Sequence, residues 1–356
     1  NKFFGYGIRA ADYLPFGEGG LDKYLPQLKK LIAEGYSITV FPEGTRSKDG
    51  NLQRFHKGAF LLAEQLQLDI LPVMLIGTGY TLLKNDLMLR NGVVEMHYLP
   101  RIRCNDDSWG RGYAERTKNI SRYFREQYAI RRQEVENANL YREKLISNYV
   151  YKGPVLEWYL RIKSRLEKNY QPLLRWAAPD AKILDLGCGY GFLSYMLQYT
   201  GAARQITGID YDAEKIAVAQ HGWSRGDSLQ FYQGDITSIH WEDYDLVYIL
   251  DVLHYLRPDE QELLVTKALQ HLRAGGRLVV RDGDADQAKK HQKTKLTELF
   301  STKLLGFNQT SGDLHFTSAA VIRRLAVANG FDLLQEADSE QTSNTIFVFT
   351  KKTAGG

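Results

Sequence analysis

Cysteine is nearly missing: the 356 residues hold two, Cys104 and Cys188. Far apart in sequence, they exclude a disulfide framework or a cysteine-rich zinc site, and they suit a reducing compartment. No apolar run approaches the ~18 residues of a transmembrane helix. The most apolar stretch, Ile70 to Leu83, is broken by Pro72, Gly77 and Thr78 and reads as a buried strand and turn. A signal peptide is lacking, as are basic blocks interleaved with aromatics, which argues against nucleic acid as a partner. The net charge of +4 is mild for this length. It permits contact with an anionic membrane surface or acidic substrates and requires neither. There is no internal repeat and no low-complexity tract. An initiator Met is also missing, and the chain opens on Asn1 inside what reads as an ongoing domain. The expectation is a fragment of a longer polypeptide.

What is present reads as soluble and globular, with 44% hydrophobic and 25% charged residues. The length predicts roughly two domains at ~150 residues each. Residues 1–110 alternate apolar strands (Ser37–Phe41, Ile70–Gly77, Val93–Pro100) with amphipathic helices near 21–35 and 57–67. That is a partial α/β domain. Residues 111–150 are polar and free of proline, and predict a linker of one or two helices with solvated charged faces. Many acidic side chains speak against a membrane-lying helix there. Residues 151–356 form a second α/β unit. Its strands are expected at Lys182–Leu186, Gln205–Tyr211, Leu229–Gln233, Asp245–Asp251, Arg277–Asp282, Phe331–Ala337 and Thr345–Lys351, the last two as a hairpin.

The richest segment is Ile183-Leu-Asp185-Leu-Gly187-Cys-Gly189-Tyr-Gly191. An apolar strand runs into a turn with glycine at three alternate positions, and an amphipathic stretch follows. Glycine allows positive φ and close approach of a ligand. The following helix points free N–H groups and its positive end at that ligand. Alone, the turn indicates a nucleotide-like ligand or simply a tight strand-to-helix connection. Acidic residues recur at later strand ends: Asp210, 19 residues after Gly191 (210 − 191), Asp235 in Gln233-Gly234-Asp235-Ile236, and Asp251, followed by His254. Singly, Asp210 could be a helix N-cap, Asp235 a turn residue, and Cys188 a small buried filler.

In this order the features resemble the class I S-adenosylmethionine-dependent methyltransferases, over most of residues 150–351. The resemblance implies a Rossmann-like seven-stranded sheet with an antiparallel last strand and S-adenosylmethionine as cofactor. It implies cofactor contacts from Asp185, Gly187, Gly189, Gly191, Asp210, Tyr211, Asp235, Ile236 and Asp251. Asp210 would accept from the ribose hydroxyls. Asp185 would organise the glycine turn or meet the amino group of the methionine end. Tyr190, Tyr195, Tyr255, and Tyr149 or Tyr151, could face the sulfonium or simply pack. A base is needed only if the acceptor, a small-molecule, lipid or aryl compound, loses a proton. His254 is the nearest candidate, with His291 and His315 in the insertion between Asp282 and Phe331. A cofactor-binding scaffold without catalysis, and a dinucleotide-binding oxidoreductase, are the other readings of the glycine turn.

Phe41-Pro42-Glu43-Gly44-Thr45-Arg46-Ser47, with Phe55-His56-Lys57-Gly58 and Leu71-Pro72-Val73 beyond it, resembles the lysophospholipid (1-acylglycerol-3-phosphate) acyltransferases over about residues 1–105. By that resemblance Glu43, Gly44, Thr45 and Arg46 line the acyl-acceptor site, and Arg46 and Lys57 meet a phosphate. The donor would be an acyl-carrier protein or acyl-CoA. The bland alternative is a surface ion pair of Glu43 with Arg46. The family's His-x-x-x-x-Asp should precede this motif, yet no histidine stands before Ser37. Two such spellings, His240 to Asp245 and His254 to Asp259, fall inside the methyltransferase pattern and read as coincidence. Ala11–Phe16 lacks the arginine that usually helps hold the acceptor phosphate, so an acceptor other than lysophosphatidic acid stays open. The fusion resembles the tail of multifunctional bacterial proteins of lipid metabolism. That implies a cytoplasmic place, at the inner membrane through an upstream region. A chain that is principally an acyltransferase is the competing enzymatic reading.

Overall fold

The structure is a computed structural model and describes residues 23–47, 50–82, 89–201, 203–283, 314–338 and 344–351. The chain divides into two compact units, Asn1–Glu136 and Asn137–Gly356.

In the first unit, α1 (Leu25–Ala33) carries Pro26 in its first turn, where the N–H needs no partner. It is followed by α2 (Gly58–Gln65), β1 (Val73–Ile76), β2 (Glu95–Tyr98) and the long α3 (Tyr113–Val135). β1 and β2 pair antiparallel, Val73 opposite Tyr98. Phe55, Phe60, Met74, Leu99, Ile102, Ile120 and Phe124 make the core. Ser37–Phe41, expected as a strand, is not one. A strand needs a neighbour for its N–H and C=O groups, and none of the described strands pairs with it. Tyr36 and Phe41 are exposed.

The stretch 111–150 is helical, but its charged surface conceals two packed faces. α3 sends Ile120 and Phe124 into the first core, Phe124 edge-on to Phe55 at 5.3 Å. α4 (Ala138–Ser147) sends Leu145 and Ile146 into the second. Each helix belongs to one unit, because its apolar stripe is buried there.

The second unit continues with α5 (Pro154–Leu166), β3 (Lys182–Leu186), α6 (Phe192–Thr200), β4 (Gln205–Asp210), α7 (Ala213–Gln220), β5 (Leu229–Gln233) and β6 (Tyr244–Leu250). It ends with α8 (Pro258–Gln270), β7 (Leu272–Gly283), α9 (Ala319–Ala328), β8 (Phe331–Asp338) and β9 (Asn344–Lys351). The seven strands run in the order β5-β4-β3-β6-β7-β9-β8. β3 to β7 are mutually parallel, and β9 lies antiparallel between β7 and β8. Side chains alternate across the sheet, as period-two geometry demands. Ile183, Leu246, Tyr248, Val279 and Val348 face the layer of α4 to α7. Leu184, Val247, Leu278, Val280, Phe347 and Phe349 face α8 and α9. Strands buried on both faces are what a covered parallel sheet requires. The strands expected from sequence are found within a residue or two, except β7, which begins five residues earlier at Leu272. None of the described helices is long and apolar enough to cross a membrane.

Arg204 ties the start of the sheet together. Its guanidinium is buried and donates to the carbonyls of Ala177 (2.6 Å), Ala178 (2.8 Å) and Leu197 (2.9 Å). Arg204→Met would remove the donor of the Ala177 carbonyl and leave those of Ala178 and Leu197 to the longer bonds from Ala181 N–H and the Thr200 hydroxyl. Urea unfolding is expected to show a loss of about 3 kcal/mol; an unchanged midpoint would show that water replaces the side chain.

Candidate functional site

The site is built at the carboxyl edge of the parallel strands, where open sheets bind ligands. β3 ends at Leu186 and the chain turns through Gly187, Gly189 and Gly191, with φ of +70°, +55° and +76°. The turn is hung on β4 by Gly187 and Cys188, whose N–H groups both donate to the Ile209 carbonyl. The three glycines differ in their surroundings. A Cβ at Gly187 would stand 2.1 Å from Val252 Cγ2, and one at Gly191 would stand 2.5 Å from the Phe231 ring. At Gly189 it would meet nothing within 4 Å. Two glycines are therefore demanded by packing, and the third has a left-handed backbone under open space. No side chain caps the first turn of α6. Its first N–H groups point into the same region.

Asp210, at the end of β4, is buried and aimed back at this turn. Its Oδ2 accepts from Gly189 N–H at 2.8 Å, and its Oδ1 accepts from Asp212 N–H at 3.0 Å. The N-cap of α7 is Asp212, accepting from Glu214 and Lys215, and not Asp210. Asp185 is buried beneath the turn and accepts from the Ser194 hydroxyl at 2.6 Å. Burial pushes its carboxyl up to about 6, Asp210 adding to the rise and the Ser194 bond opposing it. Beyond β5, Asp235 is exposed and accepts from the Thr237 N–H and hydroxyl, while Ile236 is buried beside Ile209. Tyr211 is half exposed.

Asp251 stands at the same edge, directly after β6. Arg281 and Asn344 hold its carboxylate, and Arg281 also bonds Glu167. Burial pushes Asp251 up, but the Arg281 guanidinium and Lys163 hold it below the usual carboxylate range. A half-buried carboxylate is steadied by such a partner, and here the partner comes from the next strand. Its φ of +56° strains a residue that is not glycine.

His254 follows β6 and is buried. Its Nδ1 lies 2.7 Å from Asp282 Oδ1 at the end of β7, and Asp282 also accepts the backbone N–H groups of His254 and Gly283. A carboxylate accepts only, so Nδ1 carries the proton. The ring centre lies 4.1 Å from that of Tyr255 and 5.7 Å from that of Phe316. Asp282 escaped notice in the sequence, although its position at a strand end was the available signal. The dyad also answers the second His-x-x-x-x-Asp spelling, since His254 pairs with Asp282 and not with Asp259, which lies beside Arg257.

The tyrosines divide. Tyr149 and Tyr195 are fully buried and structural: Tyr149 donates to the Tyr190 carbonyl at 2.7 Å under the turn, and Tyr195 to that of Ala219 at 2.7 Å. Tyr190 stacks on Phe192. Tyr151 lies against His221. His315 donates its backbone N–H to the His254 carbonyl, and His291 lies outside the described residues. Among the described residues no cluster suits a metal ion.

In the first unit Pro42 to Thr45 turn onto His56, whose N–H donates to the Pro42 carbonyl at 2.7 Å. Glu43 accepts from Gln53 N–H at 2.6 Å. Gly44 has a φ of +67° against the His56 ring, and Thr45 and Arg46 are exposed.

The second unit is therefore a nucleoside-type site on a seven-stranded sheet with an antiparallel insertion at β9. Residues 183–276 match the family model described as a methyltransferase domain, and residues 1–76 match that described as acyltransferase. In sequence, residues 1–76 are thus acyltransferase-like and residues 183–276 methyltransferase-like. It is 34% identical over 132 residues to trans-aconitate 2-methyltransferase of Deinococcus radiodurans, covering 37% of this chain and 49% of that one. It is 37% identical over 78 residues to a 1-acyl-sn-glycerol-3-phosphate acyltransferase of Cocos nucifera, covering 22% and 25%. The chain thus spans half or less of these relatives. Magnesium protoporphyrin IX methyltransferase of Synechocystis, solved with S-adenosylhomocysteine, is similar at 21% identity with a TM-score of 0.39, covering 54% and 82%.

Two measurements check this geometry. Gly187→Ala should cost about 3 kcal/mol of stability through left-handed strain and overlap with Val252. Gly189→Ala should cost about 1 kcal/mol, yet abolish nucleoside binding. Equal effects of the two on both quantities would contradict the open cradle. Asp185 titrates above its unfolded value of about 3.9. Its ionisation therefore costs nothing below about pH 4, and the cost is complete only above about pH 6. Asp185→Asn is expected to gain stability over the unsubstituted protein at pH 7 and to lose that gain at pH 4, by urea unfolding at each pH.

Proposed function

We propose that the second unit transfers a methyl group from S-adenosylmethionine to a hydroxyl-bearing small molecule, with the His254–Asp282 dyad as general base. The observation that carries this is the open space over Gly189, beside a carboxylate that already grips the turn. These residues fit the cofactor. Asp210 has acceptor capacity beyond its two backbone bonds for ribose hydroxyls. Ile236 and Tyr211 offer apolar and aromatic surface for a base. Asp185 offers a carboxylate to the amino end. Bound there, the cofactor supplies an already activated methyl group.

The chain's own contribution is alignment and proton removal. Alignment alone is worth up to ~7–11 kcal/mol. With Asp282 accepting from Nδ1, the tautomer places the lone pair on Nε2, which can take a proton from an acceptor hydroxyl. Burial of the dyad keeps its hydrogen bond out of competition with water. The small-molecule class agrees with the name of the Deinococcus relative. For the first unit we propose that Glu43, Gly44, Thr45 and Arg46 form the acyl-acceptor half of an acyltransferase site, supported by the named relatives. Arg46 would serve a phosphate.

Asp210→Ala should weaken S-adenosylhomocysteine at least tenfold by calorimetry; an unchanged affinity contradicts the reading. His254→Ala and Asp282→Asn should leave that affinity intact and lower turnover about 10²–10⁴-fold on a panel of phenols and hydroxy acids. Full turnover by both would remove the dyad from the chemistry.

A further inference from the structure

The outer side of α5 is left over by the functions above. A surface helix of a globular domain buries one side and shows water a polar one. α5 buries Leu156, Leu160 and Ser164. Its other side is apolar as well. Val155, Trp158, Ile162 and Leu166 recur at intervals of three and four, which sets them in one stripe. They are 53%, 50%, 39% and 51% exposed. Val150 and Tyr151, just before the helix, are half exposed too. A contiguous apolar stripe left in water marks an interaction surface.

The charges around the stripe have one sign in excess. Residues 150–175 hold six Lys and Arg against two Glu, a surplus of four. The net charge of the whole chain is +4, so its entire surplus is concentrated in this stretch. The acids beside α5 are matched. Arg142 and Arg161 balance Glu143 and Glu157, and Lys152 meets Glu214. Arg281 and Lys163 balance Glu167 and Asp251. Arg165 and Lys168, at the Leu166 end of the stripe, are exposed. Long basic side chains lay their stems along apolar surface and carry the charge to its rim. Tryptophan and aliphatic side chains within a basic border suit a helix that lies in a lipid–water interface.

A second copy of this chain fits the stripe less well. It runs ~16 Å along a helix ~10 Å wide, on the order of 200 Å² against about 800 Å² per partner in a stable dimer. A two-fold pairing would also set the basic border against itself. An anionic lipid surface has neither defect, since its headgroups carry the opposite charge and its extent matches any patch. The other flank of α5 borders the carboxyl edge of the sheet. The Tyr159 ring centre lies 6.2 Å from that of Phe192 at the start of α6, and Glu167 bonds Arg281 of β7.

We propose that the outer stripe of α5 docks the second unit onto an anionic lipid surface. The apolar side chains enter the boundary between headgroups and acyl chains, and Arg165 and Lys168 meet headgroup phosphates. Docking brings the carboxyl edge to that surface. It stands apart from the methyl-transfer reading, and either can fail alone.

The full chain is sedimented with vesicles of phosphatidylcholine, and of phosphatidylcholine mixed with phosphatidylglycerol, at low and raised salt. The unsubstituted chain is expected to bind the anionic vesicles and to leave them as salt rises. Trp158→Ser with Ile162→Ser weakens that binding at least tenfold, and a second pair, Val155→Ser with Leu166→Ser, does the same. Arg165→Gln with Lys168→Gln weakens it at least fivefold and flattens the salt dependence. Val327→Ser, at an exposed position of α9 across the sheet, changes nothing. An unchanged urea midpoint shows each variant folded. Vesicle binding that is absent, that is equal on the neutral lipid, or that survives both stripe pairs overturns the proposal. So does a dimer, seen by light scattering, that the stripe substitutions abolish, because the occupant is then a second copy.

Discussion

One charge-assisted bond, from Gly189 N–H to Asp210 Oδ2 at 2.8 Å, sets the shape of the site. It joins the middle of a left-handed turn to the end of the neighbouring strand. The turn has little else to hold its centre, because Gly189 touches no side chain on its open face. Below it the support is dense: the Gly187 and Cys188 N–H groups on Ile209, the Tyr149 hydroxyl on the Tyr190 carbonyl, and Ser194 on Asp185. The result is a rigid floor with a vacant roof, which is what a preorganised ligand site requires. Charge-assisted bonds of this kind contribute about 1.5–3 kcal/mol. The same carboxylate keeps acceptor sites for a sugar, so one side chain both shapes the cradle and lines it.

Charge is distributed along the edge by strand. The β4 side carries Asp210 and Asp212, and the β6–β7 side carries the Asp251–Arg281–Glu167 chain and the His254–Asp282 dyad. Strands lie about 4.8 Å apart, so β4 and β7 are separated by roughly 14 Å. An extended ligand can thus meet an acid at one end and proton-moving groups at the other. The Arg281 pairs, with Lys163 as the second cation, offset charges that would otherwise be costly.

The sheet was legible because its strands are apolar on both faces and end in acids, so Asp185, Asp210 and Asp251 could be located by counting. What could not be counted was pairing across the sheet. His254 stood out as a histidine at a strand end, but Asp282 is 28 residues away and only the register of β6 on β7 brings them together. The Asp251–Arg281 pair was hidden for the same reason, since Arg281 sits inside an otherwise apolar strand. The burial of Tyr170 and the left-handed run at 168–170 are tertiary facts. In the first unit an apolar segment, Ser37–Phe41, read as a strand from composition alone. Strand formation also needs a partner.

The most direct measurement is a crystal structure of the full chain with S-adenosylhomocysteine. The account expects the ribose hydroxyls on Asp210, above Gly189, with the nucleoside lying along the carboxyl edge of β4 and β5. A ligand bound elsewhere, or an Asp210 carboxylate without contact to the sugar, would contradict it.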